Sequence, residues 1–120
     1  MIKISVCDDD EGQLTFFKQC FMEYNEKHKE KIEANFYQSV QSLLNEKKFS
    51  PDVYFLDIEL QDGNGLKLAG KIRTRNSKIP IVFITSHEEF MPEAFHVHAY
   101  QYLNEKKNAQ AVENVLNQLA

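Results

Sequence analysis

Short apolar runs alternate along this chain with longer stretches in which apolar residues return every three or four positions. Ile2-Lys3-Ile4-Ser5-Val6-Cys7 reads as a first strand, and Leu14, Phe17, Phe21 and Tyr24 then recur at helical spacing in a segment closed by the charged run from Glu26 to Lys31. Residues Ile32 to Tyr37 alternate weakly and suit an edge strand. Ser39 then caps a short helix bearing Val40, Leu43 and Leu44. Pro51 breaks the chain before Val53-Tyr54-Phe55-Leu56, whose lack of alternation predicts a central strand buried on both faces. Asn64 is placed as the N-cap of a third helix, with Leu66, Ala69 and Ile72 on its inner stripe and Lys67, Lys71, Arg73 and Arg75 mostly outward. Ile81-Val82-Phe83-Ile84 is a fourth strand, followed by a short helix around Phe90 to His96 and a fifth strand from Ala99 to Leu103. Val112, Val115, Leu116 and Leu119 mark the stripe of the last helix.

Five strands and five helices in strict alternation predict a flavodoxin-like (βα)5 fold: a doubly wound, parallel, five-stranded sheet of order 2-1-3-4-5. Strands one and three are neighbours in that order. The acids that follow them, Asp8, Asp9 and Asp10 on one side and Asp57 on the other, then converge at the carboxyl edge of the sheet, where such folds place their ligands. Taken alone, the Asp8 to Asp10 group also reads as a loop start in which one residue caps the first helix.

The 120 residues suit one domain, and 42% hydrophobic with 27% charged residues is the balance of a soluble globular chain with no membrane-length apolar segment. The apolar start is too short for a secretory signal, which places the chain in the cytoplasm. Cys7 and Cys20 have no CxxC partner and read as reduced core thiols. A net charge of −4 without a long Lys/Arg run argues against direct nucleic-acid contact by this domain.

Three carboxylates brought within a few ångströms repel by ~1 kcal/mol per pair in water and ~4 kcal/mol at an effective dielectric of 20, so the crevice calls for a cation. Oxygen-only donors select a hard ion, and Mg2+ fits because it accepts one or two carboxylates together with phosphate oxygens and waters.

With these residues in place, the chain resembles, over essentially its whole length, the receiver domain of two-component response regulators. The resemblance rests on Cys7-Asp8-Asp9-Asp10 after strand one, Asp57 with Gly63 and Gly65 beyond it, Thr85 after strand four and Tyr102 in strand five. The runs Phe-Ile-Thr-Ser-His-Glu-Glu-Phe and Ala-Tyr-Gln-Tyr-Leu look most like receivers attached to LytTR-type DNA-binding domains. It implies that Asp57 is the phosphoacceptor, taking a phosphoryl group from the phosphohistidine of a sensor histidine kinase. Asp9 would then hold Mg2+ directly, Asp8 through a water, and the Glu59 backbone carbonyl and Asp57 would complete the protein ligands. Thr85 would donate to the new phosphate and Tyr102 would turn its ring inward. Such a domain is a signalling module that takes part in its own phosphorylation and dephosphorylation, and it controls an output domain, expected to be transcriptional and to lie outside these residues. The face formed by helix four, strand five and helix five, with Phe90, Phe95, Val97 and Tyr100, would make a homodimer or output contact.

One position departs from the pattern. Glu105 stands where the family carries a phosphate-binding Lys, and Lys106 replaces the Pro that follows. A one-residue slip or bulge after Tyr102 would aim Lys106 into the crevice as a stand-in. The alternative reading is a pseudo-receiver that is not phosphorylated and acts by docking or dimerising. A hydrolase using Asp57 as nucleophile, in the manner of haloacid-dehalogenase-like enzymes, is disfavoured by Glu59, which stands two positions on where those enzymes carry Asp. His96 and His98 are read as solvated loop residues, and His87 is placed at the crevice rim facing water.

Overall fold

Alternate residues of the central strands point into two separate apolar layers, and this alternation organises the molecule. The computed structural model describes residues 1–104 and 107–120. Five strands, β1 (Ile2–Cys7), β2 (Ile32–Tyr37), β3 (Val53–Leu56), β4 (Ile81–Ile84) and β5 (Gln101–Leu103), form one parallel sheet of order β2-β1-β3-β4-β5. The order is the one the apolar pattern predicts. Ile4 and Val6 of β1, Val53 and Phe55 of β3, and Val82 and Ile84 of β4 face one layer. There they meet Phe17 and Phe21 of α1 (Glu11–Lys27) and Val112, Val115 and Leu116 of α5 (Ala109–Leu119). Cys7, Leu56, Ile81 and Phe83 face the other. That layer is closed by Leu43 of α2 (Val40–Leu44), by Leu68, Ala69 and Ile72 of α3 (Gly65–Arg75) and by Ala94 of α4 (Met91–His96). Buried on both faces, β3 and β4 have no polar positions to alternate with.

Helix starts follow local capping chemistry. The side chains of Asp10, Ser39, Asn64 and Asn108 accept the N–H groups of Gly12, Ser42, Leu66 and Ala111, at 2.8, 3.1, 2.6 and 3.0 Å. A two-stranded antiparallel hairpin, Glu59–Leu60 with Gly63–Asn64, links β3 to α3. Among the described residues no helix is long and apolar enough to cross a membrane.

Four local expectations change. The inner stripe of α3 is wider than expected: Leu68 joins Ala69 and Ile72 in the second layer, and Leu66, half-buried, packs against it. Arg73 is not directed outward: its guanidinium donates to the carbonyls of Val97 at 2.8 Å, His98 at 2.9 Å and Ile79 at 2.6 Å. The fourth helix is preceded by a 3-10 turn, Glu88–Phe90. The fifth strand begins at Gln101, since His98 adopts φ 57° and Ala99 still donates to the Ala94 carbonyl at 3.1 Å. Cys7 is buried and Cys20 half-buried, both as free thiols.

Gly65 is a position where only glycine fits. A Cβ there would lie 2.0 Å from the Asp57 carbonyl oxygen and 3.0 Å from the Ile58 Cα, both backbone atoms. Replacing Gly65 with Ala should therefore cost about 3 kcal/mol in chemical denaturation, through displacement of the segment after β3; an unchanged midpoint would mean that the close approach is not maintained in solution. Phe55 meets the rings of Phe17 and Phe21 edge-on at 5.7 and 5.9 Å. Phe55→Ala should lower the unfolding free energy by about 3–5 kcal/mol, read from the same denaturation curves.

Candidate functional site

Strand register brings the acids together. β1 and β3 run in parallel with Cys7 opposite Leu56, so the next residues, Asp8 and Asp57, leave the sheet side by side. The Asp57 N–H donates to the Cys7 carbonyl at 2.9 Å, which continues the ladder one step beyond the strands. Carboxylate oxygens of Asp8, Asp9 and Asp57 all lie within 4.8 Å of one another. Asp8 and Asp57 are buried and Asp9 is half-buried.

Backbone N–H groups hold these carboxylates in place. Asp8 Oδ1 accepts from the Asp10 N–H at 3.0 Å, Asp9 Oδ2 from Gln61 at 3.0 Å and Asp57 Oδ1 from Ile58 at 2.8 Å. Such bonds to charged acceptors are short and fix the orientation of each carboxylate. The negative field is visible at Cys7, whose thiol is pushed up to about 12 by burial first and then by Asp62, Asp8, Asp57 and Asp9. Asp10 turns instead to the helix, where it is the N-cap of α1. The donor set is oxygen-only, hard and anionic, and suits a hard divalent cation.

The crevice outside these acids is an open cavity of about 500 Å3, lined also by Glu59, Ser86 and His87. Thr85 follows β4 fully buried, with its Oγ1 accepting the His87 N–H at 3.3 Å and its own N–H bound to the Leu103 carbonyl at 3.0 Å. Ser86, the next residue, lines the cavity itself. Tyr102 is half-buried against Phe83, at 6.5 Å between ring centres, and its hydroxyl donates to the His87 carbonyl. Burial, and then Glu89, Glu88 and Glu93, push its phenol pKa above the ordinary value. Glu105 and Lys106 lie outside the described residues, so the expectation for Lys106 rests on sequence alone.

His87 departs from its expected water-facing role. Its Nε2 lies 3.4 Å from a Glu59 carboxylate oxygen and its Nδ1 3.2 Å from Glu89, so the ring bridges two acids at the rim. A second group was not foreseen at all: both carboxylate oxygens of Asp62 accept first-turn N–H groups of α2, from Val40 at 2.9 Å and Gln41 at 3.1 Å. Those bonds hold the Asp62 carboxyl below its ordinary range. Partners more than twenty positions apart leave no local signal.

Comparison with known proteins agrees with this arrangement. The family model described as response regulator receiver domain matches residues 4–117. A response regulatory protein of Yersinia pestis, itself uncharacterized, is 29% identical over 120 residues, which is all of this chain and 49% of that protein. The transcriptional regulatory protein LytR of Staphylococcus aureus is 31% identical over 68 residues, 57% of this chain and 28% of that protein. The chain thus spans about half the length, or less, of the curated relatives it matches. Among solved structures, the response regulator TrrA of Thermotoga maritima, in complex with Mg2+ and beryllofluoride, superposes with a TM-score of 0.85 at 21% identity, covering 100% of both chains; at that identity it supports the fold alone. A receiver-family match over nearly the whole chain, on a five-stranded parallel sheet that brings Asp8, Asp9 and Asp57 to one edge, makes this chain a member of the response regulator receiver domain family of two-component systems.

Proposed function

We propose that Asp57 is the phosphoacceptor of this receiver and that Asp8, Asp9, Asp57 and the Glu59 backbone carbonyl hold a Mg2+ ion beside it. The observation that carries the reading is the convergence of three carboxylates within 4.8 Å at the ends of two adjacent buried strands, with Asp57 the one delivered by the central strand. When bound, Mg2+ would neutralise the oxygens of the transferring phosphoryl group and the acids around it. Everything else falls to the chain. The Ile58 N–H orients Asp57, the Gln61 N–H orients Asp9, and the Asp57 carboxylate attacks phosphorus as the bond to the imidazole nitrogen of a sensor histidine kinase breaks, the ring, protonated on its other nitrogen, leaving as neutral imidazole. The aspartyl phosphate adds about −1.5 to −2 charges and three acceptor oxygens.

In this reading the new acceptors draw on the hydroxyl of Thr85, which now receives the His87 N–H, and Tyr102 follows because its hydroxyl is anchored on the same residue. The response passes to the face of α4, β5 and α5, where Phe95 is 81% exposed and Met91 and Tyr100 are also exposed; a homodimer or output contact would cover them. The output domain is proposed to be transcriptional, on the strength of the LytR relative and of the length that relative has beyond the match. The domain works in the cytoplasm as a signalling module, without binding nucleic acid itself.

Incubation with Mg2+ and acetyl phosphate should add one phosphoryl group by intact mass, lost in Asp57→Asn; an unchanged wild-type mass with and without Mg2+ would leave the pseudo-receiver reading standing. Asp9→Ala should weaken Mg2+ binding, measured by calorimetry, at least about tenfold. It should also remove the Mg2+-dependent amide shifts that beryllofluoride induces around Asp57 and Thr85. Equal Mg2+ affinity in the variant would overturn the metal assignment.

A further inference from the structure

A second cavity opens at the other end of β3, away from the acid crevice. It encloses about 360 Å3, within the range of about 300–1,000 Å3 usual for small-ligand sites. It lies between the loop of residues 45–52 that follows the five-residue α2 and the C-terminal half of α3. The floor is apolar, made by the buried side chains of Leu43, Ile72 and Ile79 and the half-buried ring of Tyr54.

The rim is cationic. Lys47, Lys71 and Arg75 line it, all three exposed, and none has a carboxylate within 4 Å among the described residues. Lys47 reaches the Leu44 carbonyl at 3.4 Å. The acid in the lining, Glu46, is committed to its own loop: Oε2 accepts the N–H groups of Lys48 and Phe49 at 2.9 and 3.2 Å, and Oε1 the Tyr37 hydroxyl at 3.4 Å. Arg75 and the ring of Tyr54 line the same cavity.

We propose that this cavity binds a small carboxylate with an apolar body, which covers Leu43, Ile72, Ile79 and Tyr54 while its anionic end meets Lys71 and Arg75. Neither half of that chemistry suffices alone. Inorganic phosphate would leave the floor uncovered, and a neutral hydrocarbon would make no use of the cationic rim. The body can be an acyl chain or an aromatic ring, both of which fit the volume. The site is independent of the acid crevice and does not rest on the phosphoacceptor reading.

The test is a titration of the isotope-labelled chain followed by backbone amide shifts, with sodium octanoate and 3-phenylpropionate as probes and 1-octanol and inorganic phosphate as controls. Saturable shifts are expected in residues 43–54 and 71–79, with at least one carboxylate binding about tenfold or more tightly than octanol. The tighter of the two acids identifies the body as chain or ring. In the double variant Lys71→Ala with Arg75→Ala, whose changes are exposed and leave the core intact, carboxylate affinity should fall about tenfold and octanol binding should not change. The proposal is overturned if neither acid gives saturable shifts there, if octanol or phosphate binds as well as the acids, or if the double variant binds the acids unchanged.

Discussion

Three carboxylates held within 4.8 Å of one another are the constraint around which the rest of this structure is arranged. At an effective dielectric of 20, each pair of ionised groups about 4 Å apart repels by ~4 kcal/mol, so an undirected cluster would spread apart or take up protons. The fold opposes this with backbone donors, from Asp10 to Asp8, from Gln61 to Asp9 and from Ile58 to Asp57. Hydrogen bonds to charged acceptors stabilise by about 1.5–3 kcal/mol each, comparable with the repulsion. The donors come from the loop after β1 and from two points in the segment after β3. Those segments must therefore be seated together, and the Gly65 backbone pressed against the Asp57 carbonyl shows how closely the second one is packed.

The same demand for fixed backbone extends outward in two directions. Toward α2, Asp62 of the hairpin accepts the first-turn N–H groups of that helix, and the Cys7 thiol donates to the Ser39 carbonyl at 3.5 Å. Toward β5, His87 is gripped at both backbone groups, its N–H by Thr85 and its carbonyl by Tyr102, while its ring lies between Glu59 and Glu89. Hairpin, β4 loop and β5 are thus joined through one residue. Asp57 and His87 line the same cavity, so on the proposed reading a change of charge at Asp57 would reach the α4, β5 and α5 face through these shared hydrogen bonds.

Sheet order and the meeting of Asp8, Asp9 and Asp57 were legible in the chain because buried parallel strands write themselves as unbroken apolar runs. The residue after such a run has only the carboxyl edge to occupy. Helix caps at Ser39 and Asn64 were legible for a similar reason: the interaction spans two or three residues. What could not be read depends on distant partners. The deeper burial of Leu68 than of Leu66 depends on the azimuth at which α3 meets the second layer, and the inward turn of Arg73 requires the carbonyls of Val97 and His98 to be in place. Likewise, the late start of β5 follows from the positive φ of His98, a conformation uncommon for a residue with a Cβ and without a sequence mark here.

One helix serves both ends of the molecule. Gly65 opens α3 against the carbonyl of Asp57, and Ile72 and Arg75, near its close, form floor and rim of the cavity beside Tyr54. Eleven residues at 1.5 Å each make a rod of about 16 Å, too short to bend appreciably between the two. Its azimuth is set by Leu68, Ala69 and Ile72 in the core, and its far end by Arg73 on the carbonyls of Val97, His98 and Ile79. The helix is therefore over-determined: it cannot shift at the cavity without disturbing either those carbonyl bonds or the backbone contact at the Asp57 carbonyl. The seating of the Asp57 backbone at one end thus sets, through one short rigid helix, the wall of a cavity of different chemistry at the other.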